Sequence, residues 1–192
     1  MPVLVLDLDN TTFDYNAALA GHVLRTERRV VPAQVPHYSF ANSGWFADTD
    51  HFLRTHREAV RAGLFAHMAP YPDAIETLHG LREAGWYIKV ATHRLIGGID
   101  EHLVRASTLA GLDRVGMPYD EVHFVADKHT VPGDIWADDK PRVLTDLDAL
   151  GLPRLAYRHA YNAHVPGPGV GSWRELGRYL RTFALEVSAA PA

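Results

Sequence analysis

"VLVLDLDNTTFDYN" (residues 3–16) decides how the rest of the chain is read. It opens as a run of β-branched and leucine residues without clean alternation, the pattern of a strand buried on both faces. It closes on Asp7 and Asp9, one residue apart, followed by Asn10 and Thr11. Side chains alternate along a strand, so Asp7 and Asp9 point the same way if the strand continues and diverge slightly if it turns. Two like charges that close cost energy unless a cation or a shared proton compensates. A hard cation such as Mg²⁺ takes such oxygen ligands and binds phosphate oxygens as well. A helix cap followed by a turn is the plainer account, since Asp and Asn are common in both.

Outward from this stretch, further short apolar runs read as strands: 86–92 ("WYIKVAT"), 121–127 ("EVHFVAD"), 134–138 ("DIWAD") and 153–158 ("PRLAYR"). Helical stripes lie between them. Ile75, Leu78 and Leu81 follow Pro72 and Asp73 and stop at Gly85; Ile99, Leu103, Ala106 and Leu109 are closed by Gly111. Val143, Leu147 and Leu150 run from Pro141 to Gly151, and Trp173, Leu176 and Leu180 suggest a last helix. This alternation predicts an α/β fold, a Rossmann-like three-layer sandwich with a parallel sheet. In such sheets ligands sit beyond the carboxyl ends of the strands. Residues 16–69 break the alternation. They offer two helix candidates, 17–31 and 49–65, joined by the aromatic, turn-rich 32–45. The expectation is a small helical cap inserted after the first strand, with a catalytic core formed by 1–15 and 70–192. "HVPGPGVG" (164–171) reads as a loop and "SAAPA" (188–192) as a frayed tail.

The bulk composition narrows the classes. The 192 residues suffice for one sizeable core, with 47% apolar and 22% charged residues. A net charge of -4 without a basic run argues against a nucleic-acid polymer or a membrane surface as partner, while a small anionic substrate is compatible. Cysteine is absent, which excludes a disulfide scaffold, thiolate catalysis and a cysteine-ligated zinc. The first residues lack a basic segment followed by an apolar one. No uncharged apolar stretch is long enough to span a bilayer, so the expectation is a cytoplasmic protein. His102, His123, His159 and His164 are scattered, and "HFLRTH" (51–56) offers no glutamate in the zinc-protease arrangement. They read as solvated or satisfied histidines.

A second acidic pair gives the first its meaning. "DIWADDKPRVL" ends a short strand in Asp138 and Asp139. Either can cap the helix starting at Pro141, which does not exclude metal binding. Thr92 ends the second strand, where a hydroxyl can donate to phosphate. Lys128 follows the third, as a mobile point charge suited to phosphate. Four strand ends thus deliver acid, hydroxyl, amine and acid, a set suited to phosphoryl transfer.

With these motifs the chain resembles the haloacid dehalogenase-like phosphatase superfamily. Asp7, Asp9 and Thr11 match its first motif, Thr92 the second, Lys128 the third, and Asp138 with Asp139 the fourth. Within it the chain is most similar to the 5'(3')-deoxyribonucleotidase-like (5'-nucleotidase) group, in "AGLFAHMAPYPDAIETLHGLREAG", "DKHTVPGDIWADDKP" and "YNAHVPGPGVGSWRELGRYL". The resemblance implies Asp7 as nucleophile, forming an aspartyl-phosphate, and Asp9 as acid and then base. It implies Mg²⁺ held by Asp7, the Asp9 backbone carbonyl and the pair Asp138 and Asp139, with Asp139 favoured as the direct ligand and Asp138 orienting Lys128 or a metal-bound water. Thr92 and the amides around Asn10 and Thr11 would hold phosphate oxygens. Asn10 stands where many relatives carry glycine. His93 and Arg94 depart from the usual small residues, and Arg94 either touches phosphate or lies on the surface. Phe13, Tyr38, Phe40, Trp45, Phe46 and Phe65 are candidates to stack on a base or to line an apolar slot, each with a core reading beside it; of these Phe13, Tyr38, Trp45 and Phe65 are taken as substrate-binding, and Phe40 and Phe46 read as packing. The expected partner is a small phosphate ester, a nucleotide by resemblance, and cap surfaces in such folds can pair into a homodimer. Two other readings stay open: a phosphatase for another small ester such as a biosynthetic intermediate, and a non-catalytic phosphate-binding or regulatory protein on the same fold.

Overall fold

In the computed structural model, which describes residues 1–32 and 35–189, the opening apolar run forms a central strand. This strand, β1 (Val3–Leu6), is followed by helices α1 (Tyr15–Glu27), α2 (Thr49–Arg61), α3 (Leu64–His67) and α4 (Ala74–Glu83). Then come β2 (Tyr87–Thr92), α5 (Glu101–Arg114), β3 (Glu121–Phe124), β4 (Ile135–Asp138), α6 (Pro141–Ala149), β5 (Arg154–Tyr157), β6 (Gly169–Val170) and α7 (Trp173–Ala189). Every strand pair is parallel, and the order is β3-β2-β1-β4-β5-β6. The α/β sandwich expected from the alternation is what forms.

Strand alternation divides the core. Leu4 and Leu6 enter a large apolar cluster with Leu78 of α4, Val104 of α5 and Trp173 and Leu176 of α7, while Val5 faces a smaller one with Val143 and Leu147 of α6. Leu19, Trp45 and Val60, from the segment between β1 and α4, belong to the larger cluster too. From β1 the chain winds outward through β2 and β3, then returns to build β4, β5 and β6 on the other side. β1 is therefore the switch point, where the crossovers diverge and leave a crevice at the carboxyl ends. No helix among the described residues is long and apolar enough to cross a membrane.

Five local readings change, the last of them at Gly111 inside α5. Residues 28–31 do not continue α1, which ends as Arg28 takes a left-handed conformation at φ 54. The 49–65 candidate divides at Gly63, φ 89, into α2 and α3. Ser188 and Ala189 extend α7, while 190–192 lie outside the described residues. The proline- and glycine-rich 164–171 stretch contains a strand, β6, because two arginines hold its backbone in place. Arg154 reaches the carbonyls of Pro166 and Pro168, and Arg158 those of Asn162, Val165 and Gly167.

Gly111 does not close α5 but sits inside it, for a packing reason. A Cβ built there would lie 2.2 Å from the Phe65 carbonyl oxygen on α3. The missing side chain lets the two helices touch. Gly111→Ala is expected to destabilise the protein by about 1–3 kcal/mol through overpacking, despite the better helix propensity of alanine. Urea denaturation checks this; an unchanged midpoint would mean the contact relaxes without cost.

Candidate active site

The sheet register assembles the acids. Leu6 pairs with Ala137, and the ladder extends one residue as Asp7 N–H donates to the Ala137 carbonyl at 3.0 Å. Asp7 and Asp138 are thus neighbours on one face of the sheet. Lys128, in the 3-10 turn Lys128–Thr130 after β3, comes between them. Its Nζ lies 2.5 Å from Asp7 Oδ1 and 2.6 Å from Asp138 Oδ2. The Trp136 indole, donating to the Lys128 carbonyl at 3.1 Å, anchors that turn to β4. The other Asp138 oxygen accepts from the Lys140 amide at 2.8 Å. Asp139 accepts from the Thr11 hydroxyl at 3.1 Å and from the Tyr161 phenol, and its carbonyl accepts from Asn162 Nδ2 at 2.7 Å. One carboxylate oxygen from each of Asp7, Asp138 and Asp139 lies within 4.8 Å of the others, and all three residues are buried.

The turn after β1 is shaped by its own polar groups. The Leu8 carbonyl accepts from the amides of Thr12 at 2.9 Å and Phe13 at 2.8 Å. Asn10 takes φ 58, a left-handed conformation that asparagine tolerates. Its side chain exchanges two hydrogen bonds with Asn16, each 3.1 Å, which explains how asparagine serves at this position. The His159 imidazole holds the Asn10 carbonyl at 2.6 Å, and the Trp173 indole the Thr11 carbonyl at 2.9 Å.

Charge is crowded here. Burial pushes the Asp7 carboxyl up to about 6 against the pull of Lys128, with Asp138 and Asp9 adding to the rise. Burial, then Asp7 and Asp138, holds Asp139 well above the ordinary carboxylate range. Burial by itself would lower Lys128, but the carboxylates of Asp138 and Asp7 more than offset it and keep the ammonium charged. One ammonium faces three buried carboxylates, so the cluster lacks positive charge. Its donors are all oxygens, the set a hard divalent cation prefers, and the residues fit such an ion.

Asp9 stands apart from this cluster. Arg94 grips its carboxylate with two hydrogen bonds, Nε at 2.9 Å and Nη2 at 2.7 Å. The same guanidinium donates to Thr108 at 3.1 Å and lies 4.2 Å from the Phe65 ring centroid. Arg94 is 2% exposed, so it is not the surface residue allowed for above, and its fork is occupied by Asp9 rather than open to phosphate.

A cavity of about 320 Å³ opens over the rim. Asp7, Asp9, Asn10, His93, Arg94 and Lys128 border it from the sheet, and Tyr38 and Phe65 from the helical segment. The Thr92 hydroxyl is buried, does not border the cavity and has no hydrogen-bond partner among the described residues. Thr11 and the pair Asp138 and Asp139 lie beneath the cavity wall, joined to it through Asp7 and Lys128. Phe13 and Trp45 do not border the cavity. Phe13 bridges to Pro70 in the core, and Trp45 packs on Phe40 at 5.1 Å. Each faces inward because its segment contributes its largest apolar surface to the main cluster. Sequence reasoning passed over Tyr161 and Asn162, which brace Asp139, and read His159, which braces Asn10, only as a solvated or satisfied histidine. Their signal was their position just after β5, at the same rim. It also passed over Tyr15 and His56, which border the cavity.

Comparisons with known proteins bear on the family and the fold. The family described as "5' nucleotidase, deoxy (Pyrimidine), cytosolic type C protein" matches residues 1–183. A Chlorobaculum tepidum protein named "Putative 5'(3')-deoxyribonucleotidase" is 26% identical over 183 residues, covering 94% of this chain and 91% of that protein. Among solved structures, "a predicted phosphatase from Clostridium acetobutylicum" is 16% identical with a TM-score of 0.63, covering 94% of this chain and 98% of that one. L-2-haloacid dehalogenase from Xanthobacter autotrophicus is 14% identical with a TM-score of 0.60 and the same coverage, 94% and 98%. At these identities the solved structures share the fold.

Proposed function

The chain belongs to the 5' nucleotidase, deoxy (pyrimidine), cytosolic type C family, within the haloacid dehalogenase-like superfamily, and from that membership we propose a specific reaction. It is Mg²⁺-dependent hydrolysis of a nucleoside (deoxyribo)monophosphate through an aspartyl-phosphate on Asp7. The observation that carries this reading is the buried convergence of Asp7, Asp138, Asp139 and Lys128 under a cavity at the switch point of the sheet.

Asp7 attacks phosphorus, its oxygen forming the new P–O bond as the bond to the leaving oxygen breaks. Asp9 gives that oxygen a proton. In the second half-reaction Asp9 takes a proton from water, whose oxygen attacks phosphorus and releases Asp7. The Arg94 fork fixes the direction in which the Asp9 carboxylate faces. Lys128 offsets repulsion between the nucleophile and the phosphate dianion, and the unpartnered Thr92 hydroxyl donates to a phosphate oxygen. Asp7, Asp139 and Asp138, with the Asp9 carbonyl, would hold Mg²⁺, which when bound supplies charge stabilisation at the equatorial oxygens. Residues 16–69 act as the cap, with Tyr38 and Phe65 toward the leaving group.

Phosphate release from a panel of nucleoside monophosphates and sugar phosphates, with Mg²⁺, tests the reading. Preferred turnover of nucleotides supports it. Preferred turnover of sugar phosphates moves the substrate to another small ester, and no turnover of any ester overturns the enzyme altogether.

The charge balance gives a second check. Asp7 has a folded pKa of about 6, above its ordinary 3.8. A raised carboxyl favours the folded state while protonated, so the metal-free protein loses this contribution as pH rises from about 4 through 6. Mg²⁺ needs the ionised form. It is expected to stabilise the protein by about 2.7 kcal/mol at pH 7.5 once Mg²⁺ reaches 100 times its dissociation constant there, and by less at pH 5. Thermal melts at both pH values, with Mg²⁺ and with chelator, measure this. An equal shift at both would contradict the assignment.

A further inference from the structure

Asp139 differs from the other buried acids in what holds it. Asp7 and Asp138 share Lys128, whereas no cation among the described residues forms an ion pair with Asp139. Its two side-chain oxygens are met by hydroxyls instead. Thr11 donates to Oδ1 at 3.1 Å, and the Tyr161 phenol donates to Oδ2. Thr11 also lies 3.4 Å from Asp7 Oδ2 and has one proton to give, so the phenol is the donor that belongs to Asp139 alone.

A tightly bonded turn carries that phenol. Tyr161 and Asn162 both lie in the 3-10 turn Ala160–Asn162 that follows β5. The Asn162 amide spends both protons on carbonyls, of Asp139 at 2.7 Å and of Tyr157 at 2.8 Å, while its oxygen accepts from the His159 amide at 2.9 Å. The Tyr161 ring stacks on the His159 imidazole, with centroids 5.0 Å and planes 18° apart. Tyr38, from the segment between α1 and α2, meets it edge-on at 5.6 Å. One turn thus grips Asp139 at its side chain and at its main chain. The packed ring leaves the phenol little freedom to follow the carboxylate if it rotates.

A carboxylate with a donor on each oxygen keeps its remaining lone pairs in one fixed plane. That restriction separates cations. Mg²⁺ demands near-ideal octahedral geometry, whereas the larger Ca²⁺ takes carboxylates through one oxygen or two and tolerates irregular coordination. We propose that Tyr161 is a positioning residue that makes the acidic site selective for Mg²⁺ over Ca²⁺, by fixing the orientation of Asp139. This rests on the reading of Asp7, Asp138 and Asp139 as the Mg²⁺ site.

Calorimetric titration of Mg²⁺ and of Ca²⁺ into the metal-free wild type and Tyr161→Phe tests it. Phenylalanine keeps the stack on His159 and removes the donor. The wild type is expected to bind Mg²⁺ the more tightly. The variant should bind Mg²⁺ about 10- to 100-fold more weakly and lose less for Ca²⁺, so the preference shrinks. A merely structural role would weaken both ions alike. An unmoved preference, or a wild type that has none, overturns the inference. A spectrum of the wild type adds a readout that survives poor folding of the variant. A cation on Asp139 withdraws charge from the oxygen that the phenol meets, so Mg²⁺ should produce a tyrosine difference band in the ultraviolet, lost in Tyr161→Phe. Mg²⁺ binding without that band overturns the inference and leaves the metal site in place. No Mg²⁺ binding by the wild type, or binding unaffected by Asp139→Asn, overturns the metal reading and this inference together.

Discussion

Asp7→Asn lowers phosphate release by on the order of 10⁴-fold or more, yet the variant melts no lower than the wild type. The two halves of this expectation have different causes. Removing a nucleophile from a covalent mechanism leaves only binding and electrostatic stabilisation, and comparable deletions cost about 10⁴- to 10⁶-fold. Stability behaves otherwise because the carboxylate is a burden to the fold. Burial raises its pKa to about 6, and Asp138 and Asp9 push in the same direction. An amide of the same shape relieves the repulsion. Lys128 loses one anion but keeps Asp138 at 2.6 Å. Phosphate release and a chelator-treated thermal melt, run on the same preparation, separate the two effects. Activity within tenfold of wild type would remove Asp7 from the chemistry, and a large drop in melting temperature would show that its charge supports the fold.

Lys128→Met should do the reverse and damage both properties. Lys128 is buried, and its ammonium is the one cation touching both Asp7 and Asp138 among the described residues. Methionine keeps most of the stem and removes the charge. Breaking a buried ion pair from one side leaves uncompensated charge, a loss of about 3–5 kcal/mol. Protonation of Asp7 and Asp139, both already shifted upward, absorbs part of this at low pH. The destabilisation is therefore larger at pH 8 than at pH 5. Loss of one contact to the developing charge costs a further roughly 10²- to 10³-fold in turnover. Urea denaturation in chelator at the two pH values, with phosphate release in Mg²⁺, provides the check. Unchanged stability at pH 8 would mean that water, not Lys128, balances the carboxylates.

The sheet was legible because its strands are short apolar runs bounded by turn residues, and the chain repeats that signal five times. β6 was not legible because no property of "GPGVG" makes a strand. The strand pairs with β5, and the stretch leading into it is held by Arg154 and Arg158, which lie earlier in the chain and act through space. Gly111 misled for a related reason. A glycine near the end of a helical stripe normally stops it, but here a neighbouring backbone needs the space. At the candidate site, the paired aspartates and Lys128 could be located from strand ends, since a parallel sheet brings those ends to one rim. Partners chosen by three-dimensional contact could not. Arg94 looked equally suited to solvent or phosphate, and only the folded chain brings it to Asp9. His56 looked like any surface histidine in a helix rich in charge. Its interest comes from a buried nitrogen with no partner, which a sequence does not display.

The arginines beneath β6 bear on how this molecule tolerates change. Between His159 and Pro168 the acceptors they engage are main-chain carbonyls, which every residue type supplies. The exposed side chains of Ala163, His164 and Pro166 can therefore drift without disturbing the anchorage, whereas His159, Tyr161 and Asn162 bond through theirs and Gly167, at φ 88, leaves no room beside Arg154. Spacing cannot: each guanidinium is a rigid fork, and its targets must recur at fixed steps. Inserting or deleting a single residue, ordinarily cheap in surface loops, would shift the carbonyls out of register and pull Tyr161 off Asp139. This makes the segment a ruler, fixed in length and free in composition only at its exposed positions.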